Sequence, residues 1–403
     1  MADSKAKSGK TAKKSAGKGK TKSITREIFG HQSWRLASDQ VELFLTRHCG
    51  HMGPVTFFRG KEKFAPMALA PWYKETKLFC ADPLLRVLRG DFFCLPFGAN
   101  QEARGKEKYF CHGETANRDW SFLSQGAGEV EGESAQILRT EIRTRARKSR
   151  VEKILSLRGS DQAVYIRHNI TGLSGPMPYG HHAMLHFDKQ GTGLISTSRF
   201  KYGQVAPGAF ETAETFGYQS LKPGATFTSL SKVPRLDGTT ADLSVYPARL
   251  GFEDLVLLYS DPKGDFAWSA AVYPEKKLVW FALKNANKLA STILWHSNHG
   301  RYYSPWNGRH VGVIGIEEVT GYFAQGLIPS IRQNSLTKQG MKTNYEFKAD
   351  ELFSVPYITA AARVPAGFDH VKSILPLKEG VVRLTSKSGK SVDSQVAWQF
   401  LQK

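Results

Sequence analysis

The chain has 403 residues, 41% of them hydrophobic and 23% charged, with a formal net charge of +20. That apolar share supports a sizeable core and excludes wholesale disorder, and 37 glycines and 18 prolines without a repeat promise many turns but no collagen-like structure. No run of 18 apolar residues is present to span a membrane, and no apolar segment follows the basic N-terminus, so neither a membrane anchor nor a secretory leader is expected.

Residues 1–22 carry eight lysines against Asp3, or +7 of the total. The rest of that stretch is almost all Ser, Gly, Ala and Thr, which cannot bury apolar surface, so 1–24 is expected to be a disordered tail. Such a polycation can make non-specific nucleic-acid contacts, and it serves equally as a solubilising tail. From residue 25 to about 365 the signals are those of one β domain. Residues 41–46 are rich in strand formers and end on the turn cluster 49–54, and similar runs recur at 163–166, 182–187, 255–259, 278–283 and 311–316. No helical pattern of 10–15 residues alternates with them, which points to a large antiparallel sandwich and away from βαβ units. Short helices are expected over 83–88 and 134–144. The basic cluster 139–153 falls on a strand or hairpin face, and 366–403 reads as extra strands packed on the same domain. Cys49, Cys80, Cys94 and Cys111 have irregular spacing, so neither a zinc site nor a disulfide framework is expected, and a reducing cytoplasm is the simplest compartment. No nucleotide-binding fingerprint is present.

Three segments bear residues able to do chemistry. The first runs from Phe110 to Trp120, with His112 beside Gly113 and with Asn117 close by. The second contains His181, His182 and His186; strand alternation places His182 and His186 on one face and His181 on the other. The third ends an apolar strand with Glu317 and Glu318, of which alternation admits only one to a cleft. His182 and His186 have the i, i+4 spacing of a metal pair, but that spacing serves a metal on a helix, so no metal site is expected on this strand. No GxSxG elbow supports a serine hydrolase. Residues of these kinds, taken singly, are more often packed or solvated side chains than catalysts. By spacing alone the segments define a β protein with a His/Glu constellation.

Taken in order, four segments resemble the aldose 1-epimerase (galactose mutarotase-like) superfamily. They are the stretch from Arg89-Gly90-Asp91 to Pro96-Phe97-Gly98; His112-Gly113 with Asn117 and Trp120; Asn169-Ile170-Thr171-Gly172 followed by Pro178 and Gly180-His181-His182; and Ile316-Glu317-Glu318-Val319-Thr320-Gly321. The resemblance spans about residues 89–321. It implies an all-β galactose mutarotase-like β-supersandwich of large antiparallel sheets with few short helices, holding a sugar or sugar phosphate across a concave sheet without a cofactor.

The resemblance also implies roles. Glu317 is the general base toward the anomeric hydroxyl, His182 the general acid toward the ring oxygen, and His112 a second histidine on the ring oxygen or a neighbouring hydroxyl. Asn117, Arg89, Trp306 and Arg309 are expected at the substrate, with Trp306 as an aromatic platform and Glu318 helping to raise the pKa of Glu317 by like charge. This sequence departs from the pattern at Glu318, where the family has proline, at Ala183-Met184-Leu185, which lacks the family's proline and aromatic, and at Ala116, where arginine is frequent. Those departures leave open a non-catalytic carbohydrate-binding protein of the same fold. Register leaves open an exchange of His182 for His181 and of Glu317 for Glu318.

Overall fold

Short apolar stretches broken at glycine and proline become strands throughout the computed structural model, which describes residues 1, 24–60, 62–75, 78, 82–188, 192–247 and 249–403. Most of the lysine-rich tail, and Cys80, lie outside the described residues. The N-terminal strands Thr25–Ile28, His31–Ala37, Glu42–Thr46 and Met52–Thr56 form a four-stranded meander.

Two large antiparallel sheets then face each other. The front sheet is ordered Thr226–Phe227, Phe200–Val205, Phe252–Ser260, Ser291–Asn298, Val313–Thr320, Tyr179–His181 and Phe93–Cys94, with Ala183–His186 also paired to Val313–Thr320. The back sheet runs from Val245–Tyr246 through Gly193–Thr197, Ala267–Tyr273, Leu278–Lys284, Phe353–Arg363, Ala163–Thr171, Ser149–Arg158 and Glu133–Thr144 to Ser121–Val130. Between them lies one buried cluster that includes Val256, Leu294, Ile314 and Ile316 from the front, and Leu155, Ile166, Trp280 and Tyr357 from the back.

Period-two alternation makes the front sheet two-sided. Its other face carries a second buried cluster with Met184, Leu255, Leu257, Ile293, Trp295, Val313 and Val319. Residues of odd number on the strands 252–260, 291–298 and 313–320 therefore face this outer cluster, and even-numbered ones face the sandwich interior. The last strands, Val371–Lys378, Val381–Ser386 and Ser391–Gln395, form a three-stranded sheet. Ile374, Val382, Leu384, Phe400 and Leu401 cover the outer face of the back sheet over Ala270, Val272, Phe281 and Ile358.

The helix expected near 83–88 is the short Leu84–Val87. The helix expected over 134–144 is instead the strand Glu133–Thr144. Good helix formers such as Ala135, Gln136 and Leu138 favour a helix locally. The period decides otherwise, because Leu138, Thr140, Ile142 and Thr144 are buried while the residues between them are not. That strand is hydrogen-bonded on both sides, to Ser121–Val130 and Ser149–Arg158. The basic cluster 139–153 is accordingly a hairpin, with Arg139 paired to Glu152 at 3.1 Å and Arg150 to Glu141 at 2.5 Å. Lys153 is buried away from them and donates to Gly50 O at 2.6 Å.

Candidate active site

On the strand Val313–Thr320, the odd-face rule sends Glu317 to the outer side of the front sheet and Glu318 into the sandwich. Glu318 meets the buried Lys284 of the back sheet and accepts from Ser269 Oγ at 2.6 Å and Thr292 Oγ1 at 2.7 Å. Glu317 is 1% exposed, and burial pushes its carboxyl well above the ordinary range, with Arg301 opposing. The like-charge contribution expected from Glu318 is therefore replaced by desolvation, since Glu318 lies on the opposite face with its own cation.

The histidines divide in the same way. His181 faces the interior, its Nδ1 3.0 Å from Asp91 Oδ2, and the backbone N–H of His182 donates to Asp91 Oδ1 at 3.1 Å. Asp91 thus holds the dipeptide so that His182 turns outward. His182 Nε2 lies 3.3 Å from Glu317 Oε1, and its ring stacks on Phe92 at 4.6 Å between centroids. Burial lowers His182 well below the ordinary imidazole value. His182 Nδ1 and Glu317 Oε2 have no hydrogen-bond partner among the described residues. His186, at the strand end, is exposed and 3.4 Å from Asp188, apart from this pair.

His112 arrives from a loop whose backbone is specialised for it. Gly113 has φ +75°, and a Cβ there would come within 2.1 Å of Leu95 O. The His112 ring packs edge-on against His182 at 4.9 Å. Gly98 N–H lies 3.4 Å from His112 Nδ1, which accepts, so the neutral ring carries its proton on Nε2. Desolvation lowers this histidine to about 3, which keeps it neutral and a donor. Gly315, two residues before Glu317, leaves the carboxylate room, because a Cβ there would sit 2.8 Å from Glu317 Oε1.

His112, His182 and Glu317 line one cavity of about 160 Å³. An engineered apolar cavity of about 150 Å³ holds benzene, so this one has space for a single six-membered ring. Trp306 is in its wall, edge-to-face with Trp72 at 5.1 Å and Trp295 at 5.9 Å. The other expected ligand residues have different tasks. Asn117 accepts from Leu84 N at 3.0 Å and donates to Cys111 O at 2.6 Å and Gly113 O at 2.8 Å, so it ties the His112 loop to the short helix. Arg89 is 1% exposed and donates to the carbonyls of Ile28, Phe29 and Val87, fastening the N-terminal hairpin. Arg309 bonds Glu75 and Pro305 O outside the cavity lining.

Sequence reasoning passed over Arg301, Trp295 and Phe210, which also line the cavity. Arg301 lies over the Trp306 ring at 4.6 Å, bonds Glu211 Oε1 at 2.5 Å and has Glu253 at 3.8 Å. Burial holds Glu253 at about 7 against that arginine, and the two acids raise Arg301. Trp295 was readable by alternation, since it is two residues from Ile293, which pairs with Glu317. Arg301 sits in an irregular loop where no period applies.

No family model matches the chain, and no curated protein matches it in sequence. Solved structures do match in shape. A galactose mutarotase-like protein from Clostridium acetobutylicum superposes with a TM-score of 0.57 at 10% identity, covering 85% of this chain and 98% of its own. A galactose mutarotase related enzyme from Lactobacillus acidophilus gives 0.51 at 10% identity, covering 83% and 99%. The chain has the all-β galactose mutarotase-like fold.

Proposed function

We propose that the protein is a mutarotase-type isomerase that opens and recloses a cyclic aldose or sugar phosphate. The observation that carries this reading is the 3.3 Å contact of His182 Nε2 with Glu317 Oε1 in the wall of a ring-sized cavity. Mutarotation takes one proton from the anomeric hydroxyl and gives one to the ring oxygen, so the C1–O5 bond breaks and an aldehyde forms. Rotation about C1–C2 and the reverse transfers close the other anomer. The catalyst ends with as many protons as it began with, which a pair holding one transferable proton satisfies.

Desolvation acts on both members toward their neutral forms, Glu317 as carboxyl and His182 as imidazole. Shifting the single proton across their contact gives carboxylate and imidazolium, the state in which Glu317 is base and His182 acid. His112, neutral and protonated on Nε2, supplies a hydrogen bond to the oxygen that gains charge as the ring opens. The Trp306 ring offers an apolar platform beside them.

NMR-monitored mutarotation of aldoses and sugar phosphates tests the reading. Acceleration over the spontaneous rate is expected, with Glu317→Gln and His182→Asn each lowering kcat by about 10²–10⁴-fold. A protein that binds these sugars but accelerates none of them would be a binding module instead.

A further inference from the structure

We infer, on the basis of that reading, that the preferred substrate is a hydroxyl-poor reducing sugar, deoxygenated or carrying an apolar substituent, and not a free hexose or its phosphate. The inference comes from the cavity wall. Apolar and aromatic side chains, among them Leu84, Leu88, Phe92, Leu255, Trp295 and Trp306, form most of it; the ionisable ones among its described residues are His112, His182, Glu317 and Arg301, with the Cys111 thiol, and of the two indole N–H groups that of Trp295 is given to Glu253. The first three are taken up by the anomeric centre, where ring oxygen and O1 exchange protons. That leaves Arg301, the Trp306 indole N–H and a weakly donating thiol for every other oxygen of the ligand.

A hexopyranose brings four further hydroxyls. One moved from water against leucine, phenylalanine or an indole face loses hydrogen bonds that nothing there returns. A methyl or methylene group in the same position gains by leaving water. The apolar wall therefore discriminates by hydroxyl count, and three of its members come from the short helix Leu84–Val87 and the residue after it: Leu84, Leu85 and Leu88. Charge argues the same way. Arg301 is the one cation among the described lining residues, and Glu211 at 2.5 Å with Glu253 at 3.8 Å already balances it. A phosphate there would face two carboxylates behind a single guanidinium.

The experiment uses the full chain and compares kcat/KM for mutarotation of 2-deoxy-D-glucose and 6-deoxy-D-galactose, each no larger than its parent, with D-glucose, D-galactose and D-glucose 6-phosphate. The deoxy sugars are expected to be favoured by about tenfold or more over their parents, the scale on which an apolar pocket separates ligands differing by small groups. Glucose, galactose or the phosphate performing equally well or better overturns the inference and leaves the mutarotase reading standing. Turnover of no sugar overturns that reading instead. The inference is then decided by calorimetry on the same panel: tighter binding of the deoxy sugars than of their parents supports it, and equal or weaker binding ends it.

Discussion

Two ionisable groups 3.3 Å apart inside an apolar wall titrate as a pair, and for Glu317 and His182 the direction of each shift sets the working pH range. Glu317 keeps its proton until the pH rises through a value well above the ordinary 4.5, and His182 gains one only as the pH falls through a value well below the ordinary 6.5. Between those limits the pair holds one proton, the form that the proposed reaction needs. The kcat/KM profile is therefore expected to have an acid limb below the usual histidine range and a basic limb above the usual carboxylate range. An acid limb at about 6.5 would mean that His182 titrates as in water, against its burial. Reading the sequence singled out Glu317, His182 and His112 through the resemblance of their segments, because strand alternation alone separates the two acids without saying which one faces a cavity. It could not choose between His181 and His182, since that choice depends on Asp91, some ninety residues away in sequence, which binds both. Asn117, Arg89 and Arg309 sit in or near the right segments but spend their hydrogen bonds on backbone or on Glu75, and no sequence pattern tells a ligand residue from a loop tether.

The strand Val313–Thr320 links the outer face to the sandwich interior. Glu317 on one side and Glu318 on the other are fixed by the same backbone, so the grip of Lys284, Ser269 and Thr292 on Glu318 also sets which way Glu317 faces. Removing one partner of a buried pair is costly, because the remaining charge has no water to turn to. Lys284→Met is expected to destabilise the protein by about 3–5 kcal/mol, seen as a lower urea midpoint with unchanged slope. Adding Glu318→Leu should recover much of that loss, since an apolar pair of similar volume removes the unmatched carboxylate. A double variant no more stable than Lys284→Met would show that the pair does not act as a unit. Six strands were legible from short runs of strand formers, and the segment Glu133–Thr144 reads locally as a helix although its helix-forming residues sit on a period of two. The length of a favourable composition is a weaker signal than its period once both neighbours supply hydrogen bonds.

At the scale of the whole molecule, all-β character was readable but strand order was not. Phe353–Arg363 lies between Leu278–Lys284 and Ala163–Thr171, pairings separated by many tens of residues that leave no local trace. The same holds for the role of the C-terminal segment, whose strands are evident in the sequence while the surface that they cover is not. That surface is the outer face of the back sheet, where Ala270, Val272, Phe281, Ile358 and Ala360 meet Ile374, Leu384, Phe400 and Leu401. Phe400 is also held by the Tyr165 ring at 5.4 Å and by the Arg167 guanidinium at 4.4 Å. Ending the chain at residue 365 would turn this contact into a contiguous apolar patch on a flat sheet, the kind of surface that drives association. The truncated chain is expected to aggregate or to melt well below the full one, by size-exclusion chromatography and thermal unfolding. The milder Phe400→Ala should cost about 3–5 kcal/mol by the loss of a large buried aromatic while leaving the cavity on the front sheet and its turnover intact. A chain ending at 365 that stays monomeric with an unchanged midpoint would show that the back sheet does not need its cover. Loss of turnover in a folded Phe400→Ala variant would instead mean that the cover is coupled across the sandwich to Glu317.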